Sequence, residues 1–195
     1  MKIDLEKIKE LRKITNLPLA ECKKALEVSG WDLKKAQDFL YQKIKQLSQK
    51  RAEKETKEGV ISSYLHPNKK IGVLVELLCE SDFVARSSDF QNLAHEICLQ
   101  VAATNPQFLD PEKVSKDVLV SQLKAWEEEL KALQKPAHLI EKILENKKKK
   151  YLEENSLLSQ PWIKDNEKKI KDLIDNLSAK TGEKIIIGKF VRFAI

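Results

Sequence analysis

The sequence predicts an α+β protein in which a three-helix bundle leads through a charged connector to a three-stranded antiparallel sheet packed with helices and bearing a helical hairpin. Three observations lead there. Apolar residues recur at helical spacing from Leu5 to about Lys45, two β-rich runs flank a Pro-Asn turn after Gly59, and a run rich in isoleucine, valine and phenylalanine ends the chain. Long helical patterns fill the interval between the second and third of these runs.

In residues 1–45 the apolar positions are Leu5, Ile8, Leu11 and Ile14, then Leu19, Cys22 and Leu26, then Leu33, Ala36, Phe39 and Leu40. These spacings predict three short amphipathic helices. Pro18 suits a first helical turn, Gly30 suits the position after a helix end, and the Asp32 carboxylate can cap the third helix. Residues 46–58 are charged, with one leucine and no apolar face, and are expected to form a linker or a solvated helix.

Residues 59–195 form the expected α+β core. VISSYLHP, the turn Pro67-Asn68-Lys69-Lys70 and IGVLVELLCE read as a hairpin, and EKIIIGKFVRFAI reads as the third strand. From Asp89 to Ala103 the residues Phe90, Leu93, Ala94, Ile97 and Val101 share one helical face, which should cover the sheet. Val114 to Leu133 and Ala137 to Leu158 read as an antiparallel helical pair broken at Pro136, where a helix would lose a hydrogen bond. A last helix is expected from about Glu167 to Ala179, with Asp165 or Asn166 as its cap and Gly182 past its end. The strands are apolar on both sides: Val73, Val75 and Leu77 point one way, Leu74 and Leu78 the other. The second face must lie under the helical pair or against a second copy of the chain.

Composition narrows the function. The chain has 195 residues, 42% of them hydrophobic, enough for a core, and 36 Lys and Arg against 30 Asp and Glu give a formal charge of +6. That balance favours an acidic partner. The positive residues alternate with glutamates along helical segments and lack aromatic stacking signatures, so no direct nucleic-acid binding is expected. Cys22, Cys79 and Cys98 make no CxxC pair and read as small buried apolar groups. His66, His95 and His138 are scattered, which disfavours a metal or catalytic centre. No apolar run approaches the length of a membrane span, and a charged start follows Met1, so a cytosolic protein is expected. Lys147 to Lys150 read as a solvated face, and Trp31, Trp126 and Trp162 as packing residues.

The segment Cys79-Glu80-Ser81-Asp82-Phe83-Val84-Ala85-Arg86, between a strand and a helix, resembles the signature loop of the elongation factor Ts family, with Ser81 where threonine is usual. Cys22-Lys23-Lys24-Ala25-Leu26, Glu141-Lys142-Ile143, Gln160-Pro161 and the ending Lys189-Phe190-Val191-Arg192-Phe193 also resemble the family, in order and over nearly the whole chain. The resemblance implies an N-terminal module like the ubiquitin-associated (UBA) fold and a factor that binds elongation factor Tu and speeds GDP release, with no cofactor and no covalent chemistry. In the family, residues matching Ser81, Asp82, Phe83 and Val84 dislodge the partner's magnesium ion. Ala85 and Arg86 extend that contact. The turn Asn16-Leu17-Pro18-Leu19 supplies binding, Leu17 and Leu19 being too close for both to be buried, although the family often has glycine and methionine there. A single SDFVA loop fits the short members of the family, which are expected to form homodimers.

Two readings from other classes compete. A basic adaptor binding RNA or a ubiquitin-like partner would show steep salt dependence and leaves the SDFVA loop without a role. A hydrolase or transferase would need a nucleophile with its base, a metal cluster or a glycine-rich phosphate loop, and the chain, with only 5 glycines, offers none of these patterns.

Overall fold

The computed structural model describes residues 4–15, 17–50, 53–133 and 136–195. Asn16 of the first turn and residues 51 and 52 of the connector lie outside the described residues.

Three helices open the chain: α1 (Leu5–Thr15), α2 (Leu19–Val28) and α3 (Leu33–Lys50). They bury Ile8, Leu11, Cys22, Ala25, Leu26, Ala36 and Leu40 among themselves. Leu5 and Ile14 remain exposed. Steps of three residues turn only about 300°, so a stripe written i, i+3, i+6, i+9 drifts off the buried face. Thr15 is buried instead, its Oγ1 donating to the Leu11 carbonyl at 2.7 Å. Pro18 stands one residue before α2 rather than inside its first turn. Gly30 and Trp31 both adopt φ 63°, reversing the chain after α2, and Asp32 Oδ1 accepts the Lys35 N–H at 3.0 Å to start α3. The third helix continues through Lys50, well into the charged stretch expected as a connector.

Strands β1 (Glu58–Leu65) and β2 (Ile71–Cys79) form the expected hairpin. Its turn closes with His66 N–H on the Ile71 carbonyl at 2.9 Å, and Asn68 Oδ1 accepts the Lys70 N–H at 3.0 Å. The helical segments that follow are α4 (Asp82–Ala85), α5 (Ser88–Thr104), α6 (Lys116–Ala132) and α7 (Ala137–Asn155). A short hairpin of β3 (Pro161–Trp162) and β4 (Asp165–Lys169) leads to α8 (Ile170–Thr181) and then β5 (Ile186–Ala194), which pairs antiparallel with β2. The larger sheet has the order β1-β2-β5, so β2 is central.

One face of this sheet buries Val73, Val75, Leu77 and Cys79 against Phe90, Ile97 and Val101 of α5, with Ile170 and Ile174 of α8 completing the core. Ile61, Leu65, Leu74, Val191 and Phe193 are exposed on the opposite face. The helical pair does not cover them. Helices α6 and α7 pack on each other antiparallel, as the Trp126–Tyr151 ring contact at 5.6 Å and the Glu129–Lys147 ion pair at 2.8 Å require.

The β3–β4 hairpin corrects the expected start of the last helix. Glu167 lies in β4, and Asp165, expected as a helix cap, accepts the Glu167 N–H at 3.1 Å inside the hairpin instead. Asp172 caps α8 by accepting the Lys169 N–H at 2.8 Å. The hairpin is anchored by Gln100, a fully buried residue of α5 whose Oε1 accepts the Ile163 N–H at 2.9 Å and whose Nε2 donates to the Pro161 carbonyl at 3.1 Å. At the other end of α8, Gly182 supplies the left-handed conformation, φ 82°, that turns the chain towards β5.

Candidate functional site

The SDFVA segment folds as a single helical turn at the end of the central strand. Ser81 is its N-cap, with an extended backbone and an Oγ that accepts the Val84 N–H at 3.4 Å. Four residues of helix cannot hold themselves, so the turn depends on its attachments. Val84 and Ala85 supply them from below, both sitting in the core beside Cys79 and Phe90. Ser87 closes the turn above, donating its Oγ–H to the Val84 carbonyl at 2.7 Å while accepting the Phe90 N–H at 3.4 Å as the cap of α5.

With Val84 and Ala85 turned inward, a helical spacing of about 100° per residue leaves Asp82, Phe83 and Arg86 outward. Phe83 is 83% exposed, the reverse of the ordinary fate of phenylalanine. Asp82 and Arg86, also exposed, pair across one turn at 3.1 Å. Ala85, expected among the partner-binding residues, is an anchor of this turn.

A second set of attachments comes from the turn between α8 and β5. Glu183 Oε2 accepts the N–H groups of Glu80, at 3.2 Å, and Ser81, at 3.0 Å, while its Oε1 accepts the Ser81 hydroxyl at 2.6 Å. In the other direction, Glu80 Oε1 accepts the Lys184 N–H at 2.6 Å. Sequence reasoning missed these two carboxylates as a pair. Glu80 lies inside the recognised octapeptide, but no periodicity or motif relates it to Glu183. Beside them the Cys79 thiol is pushed up to about 11, first by burial and then by the charge of Glu183.

In the N-terminal turn, Leu17 is 5% exposed and Leu19 46%, as the tightness of the turn requires. Pro18 is exposed beside Leu19. Leu17 faces a cleft shared with Leu40, Ile44 and Ala179 of α8, so it packs where the bundle meets the core. Cys22, Cys79 and Cys98 are all buried and free. His66 and His95 both approach Tyr64, the former through a 2.9 Å hydrogen bond. Among the described residues no helix is long and apolar enough to cross a membrane.

An exposed aromatic beside an exposed ion pair, mounted on a turn bolted to the central strand, is a surface suited to contact with another macromolecule. The profile described as "Elongation factor TS" matches residues 6–195. A protein named elongation factor Ts from Thermodesulfovibrio yellowstonii is 48% identical over 195 residues, 100% of this chain and 97% of that relative. Others of that name are 45% identical over 193 residues in Thermosipho melanesiensis, covering 99% of this chain and 98% of the relative, and 42% identical over 195 residues in Thermotoga maritima, covering 100% and 97%. The chain belongs to the elongation factor Ts family, a family of translation elongation factors.

Proposed function

We propose that this chain binds elongation factor Tu and acts as its guanine-nucleotide exchange factor, promoting GDP release by displacing the magnesium ion. The observation that carries the reading is Phe83, 83% exposed on a turn whose neighbours are buried and hydrogen-bonded. A GTPase holds its nucleotide through phosphate contacts, a lysine and the metal, so release is slow while all of them persist. Phe83 is a rigid wedge that can enter between the partner's side chains, and Asp82 a carboxylate that can draw hydrogen bonds away from the metal. Without the metal, the diphosphate's charge is uncompensated. Ser81 and Val84 hold the wedge, and Arg86 flanks it.

Linkage sets the scale. A factor that weakens GDP binding a thousandfold must itself be bound a thousandfold less tightly when GDP is present, a coupling of about 4 kcal/mol. Residues 1–45 act as the UBA-like binding module, with Pro18 and Leu19 as the exposed contacts and Leu17 fixing the turn from inside. Residues 46–58 connect it to the α+β core of residues 59–195, which carries the helical hairpin at about 114–158. The core forms a homodimer through the exposed sheet face of Ile61, Leu65, Leu74, Val191 and Phe193, and the protein works in the cytosol.

The test is release of fluorescent GDP from elongation factor Tu, followed by stopped flow with and without this protein. Acceleration by the parent, and its loss in the doubly substituted Asp82→Ala/Phe83→Ala protein with an unchanged melting temperature, is the expected result. Release at the parent's rate with both substitutions in place removes the loop from the mechanism. Salt-sensitive RNA binding without accelerated release would favour the basic adaptor instead.

A further inference from the structure

We propose that Glu183 is a positioning residue for nucleotide exchange, its carboxylate holding the turn that presents Phe83 and Asp82, an assignment that stands on the exchange role proposed above. The pairing of β2 with β5 extends to Leu78 opposite Ile186 and no further. Beyond it the N–H groups of Glu80 and Ser81 have left the ladder and need other acceptors. A single carboxylate oxygen of Glu183 accepts both, at 3.2 and 3.0 Å, while the other accepts the Ser81 hydroxyl at 2.6 Å. Three donors on one planar group fix its rotation as well as its place.

The link runs on to the wedge. The hydroxyl held by Glu183 is the one that caps α4 by accepting the Val84 N–H, and Phe83 lies between those two residues. Glu183 is in turn fixed from behind, because its carbonyl accepts the Ser178 hydroxyl of α8 at 2.5 Å and Gly182 sets the direction of the chain just before it. Glu80 ties the same two segments in the opposite sense, taking the Lys184 N–H at 2.6 Å and pairing with Lys54 Nζ at 2.6 Å. Lys184 Nζ donates to the Lys54 carbonyl at 2.7 Å, so the end of the connector is drawn into the same cluster. An exposed aromatic cannot settle its own position by packing. Its aim comes from the shell beneath it, and a displacement of about 1 Å there is enough to cost a large factor in rate.

The experiment is stimulated GDP release from elongation factor Tu, measured over a range of concentrations of the full chain for the parent, Glu183→Ala, Glu183→Gln, Phe83→Ala and the Glu183→Ala/Phe83→Ala pair. Glu183→Ala is expected to lower the maximal rate about tenfold while the half-saturating concentration stays near the parent's, since the N-terminal contacts are untouched. Glu183→Gln, whose amide oxygen can still accept both main-chain N–H groups, should recover most of the rate. Phe83→Ala should slow the parent, and Glu183→Ala should slow the Phe83→Ala protein far less than it slows the parent, because a residue acting through Phe83 loses most of its effect once Phe83 is gone. A parent-like maximal rate in Glu183→Ala, or equal slowing by Phe83→Ala in both backgrounds, overturns the assignment. Should Glu183→Ala melt below the assay temperature, Ser81→Ala removes the hydroxyl that joins Glu183 to the Val84 cap: slower maximal release to which Glu183→Gln adds nothing supports the assignment, and unchanged release or independent slowing by Glu183→Gln overturns it. Slow Phe83→Ala beside fast Glu183→Ala removes Glu183 alone, whereas release at the parent's rate in the Asp82→Ala/Phe83→Ala protein removes the loop and Glu183 together.

Discussion

Phe193→Asp tests what the outer sheet face is for. Phe193 is 69% exposed and stands opposite Gly72, with Leu65, Leu74 and Val191 around it. Of about 200 Å² that a phenylalanine offers, some 140 Å² is then free to be covered by a second copy. At about 25 cal/mol per Å² that is roughly 3.5 kcal/mol. A two-fold interface uses the residue twice, so roughly 7 kcal/mol, or about five powers of ten in the dissociation constant, is the upper bound. Association entropy and imperfect packing reduce what is realised, and a weakening of at least about a hundredfold is the conservative expectation. The folded protomer should lose little, about 1 kcal/mol, because the side chain lies on an edge strand and faces outward. Sedimentation at micromolar concentration should show a dimer for the parent and a monomer for the variant, with melting followed in parallel. A monomeric parent, or a variant that still sediments as a dimer, refutes the reasoning.

Three further outcomes are expected. At Gly59 an added Cβ would meet the Leu77 carbonyl oxygen at 2.2 Å and Leu78 Cα at 2.9 Å, both backbone, so Gly59→Ala should destabilise by about 1–3 kcal/mol and lower the melting temperature by about 2–10 °C, while Gly72→Ala, whose nearest neighbour is a side-chain atom at 3.8 Å, should change little. Gln100→Leu strands the Ile163 N–H and removes a donor from Pro161, and should cost about 2–4 kcal/mol in denaturant unfolding and expose the Ile163 amide to hydrogen exchange. The native Cys79 thiol lies at about 11 against an ordinary 9.0, so the folded state keeps its proton longer than the unfolded one. The stability this contributes is complete below pH 9 and is lost as the pH rises towards 11; thiolate absorbance should report the titration, and Glu183→Gln should move it down.

Where burial repeats with a fixed period, the sequence was legible. Alternation in IGVLVELLC and the spacing of Phe90, Ile97 and Val101 translate directly into a strand and a helix that face each other. Asp32 and Gly182 act through local backbone chemistry, which is also written in neighbouring residues. The β3–β4 hairpin escaped because its order comes from elsewhere. Asp165–Lys169 is a polar strand with no apolar alternation, its partner strand is only two residues long, and the group that holds them is Gln100 on α5, 63 positions before the amide it accepts. Similarly, Thr15 replaced Ile14 in the bundle core because a three-residue repeat rotates off the face that a 3.6-residue helix buries.

The candidate site divides along the same line. An SDFVA segment at a strand end announces an exposed turn through its residue types, and the structure distributes them by geometry: Val84 and Ala85 inward, Asp82, Phe83 and Arg86 outward. What keeps the outward set in place is a carboxylate 102 positions beyond Ser81, brought there by the antiparallel return of β5 along β2. Locally, Glu183 reads as an ordinary charged residue after a helix-ending glycine. Only the register of the sheet makes it the neighbour of two main-chain amides that have run out of ladder. A wedge that must displace another protein's groups needs such a mount, because its own exposed side chain contributes nothing to holding it still. The loop's chemistry is therefore encoded within one octapeptide, while its rigidity is encoded in the topology that joins the last strand to the middle one.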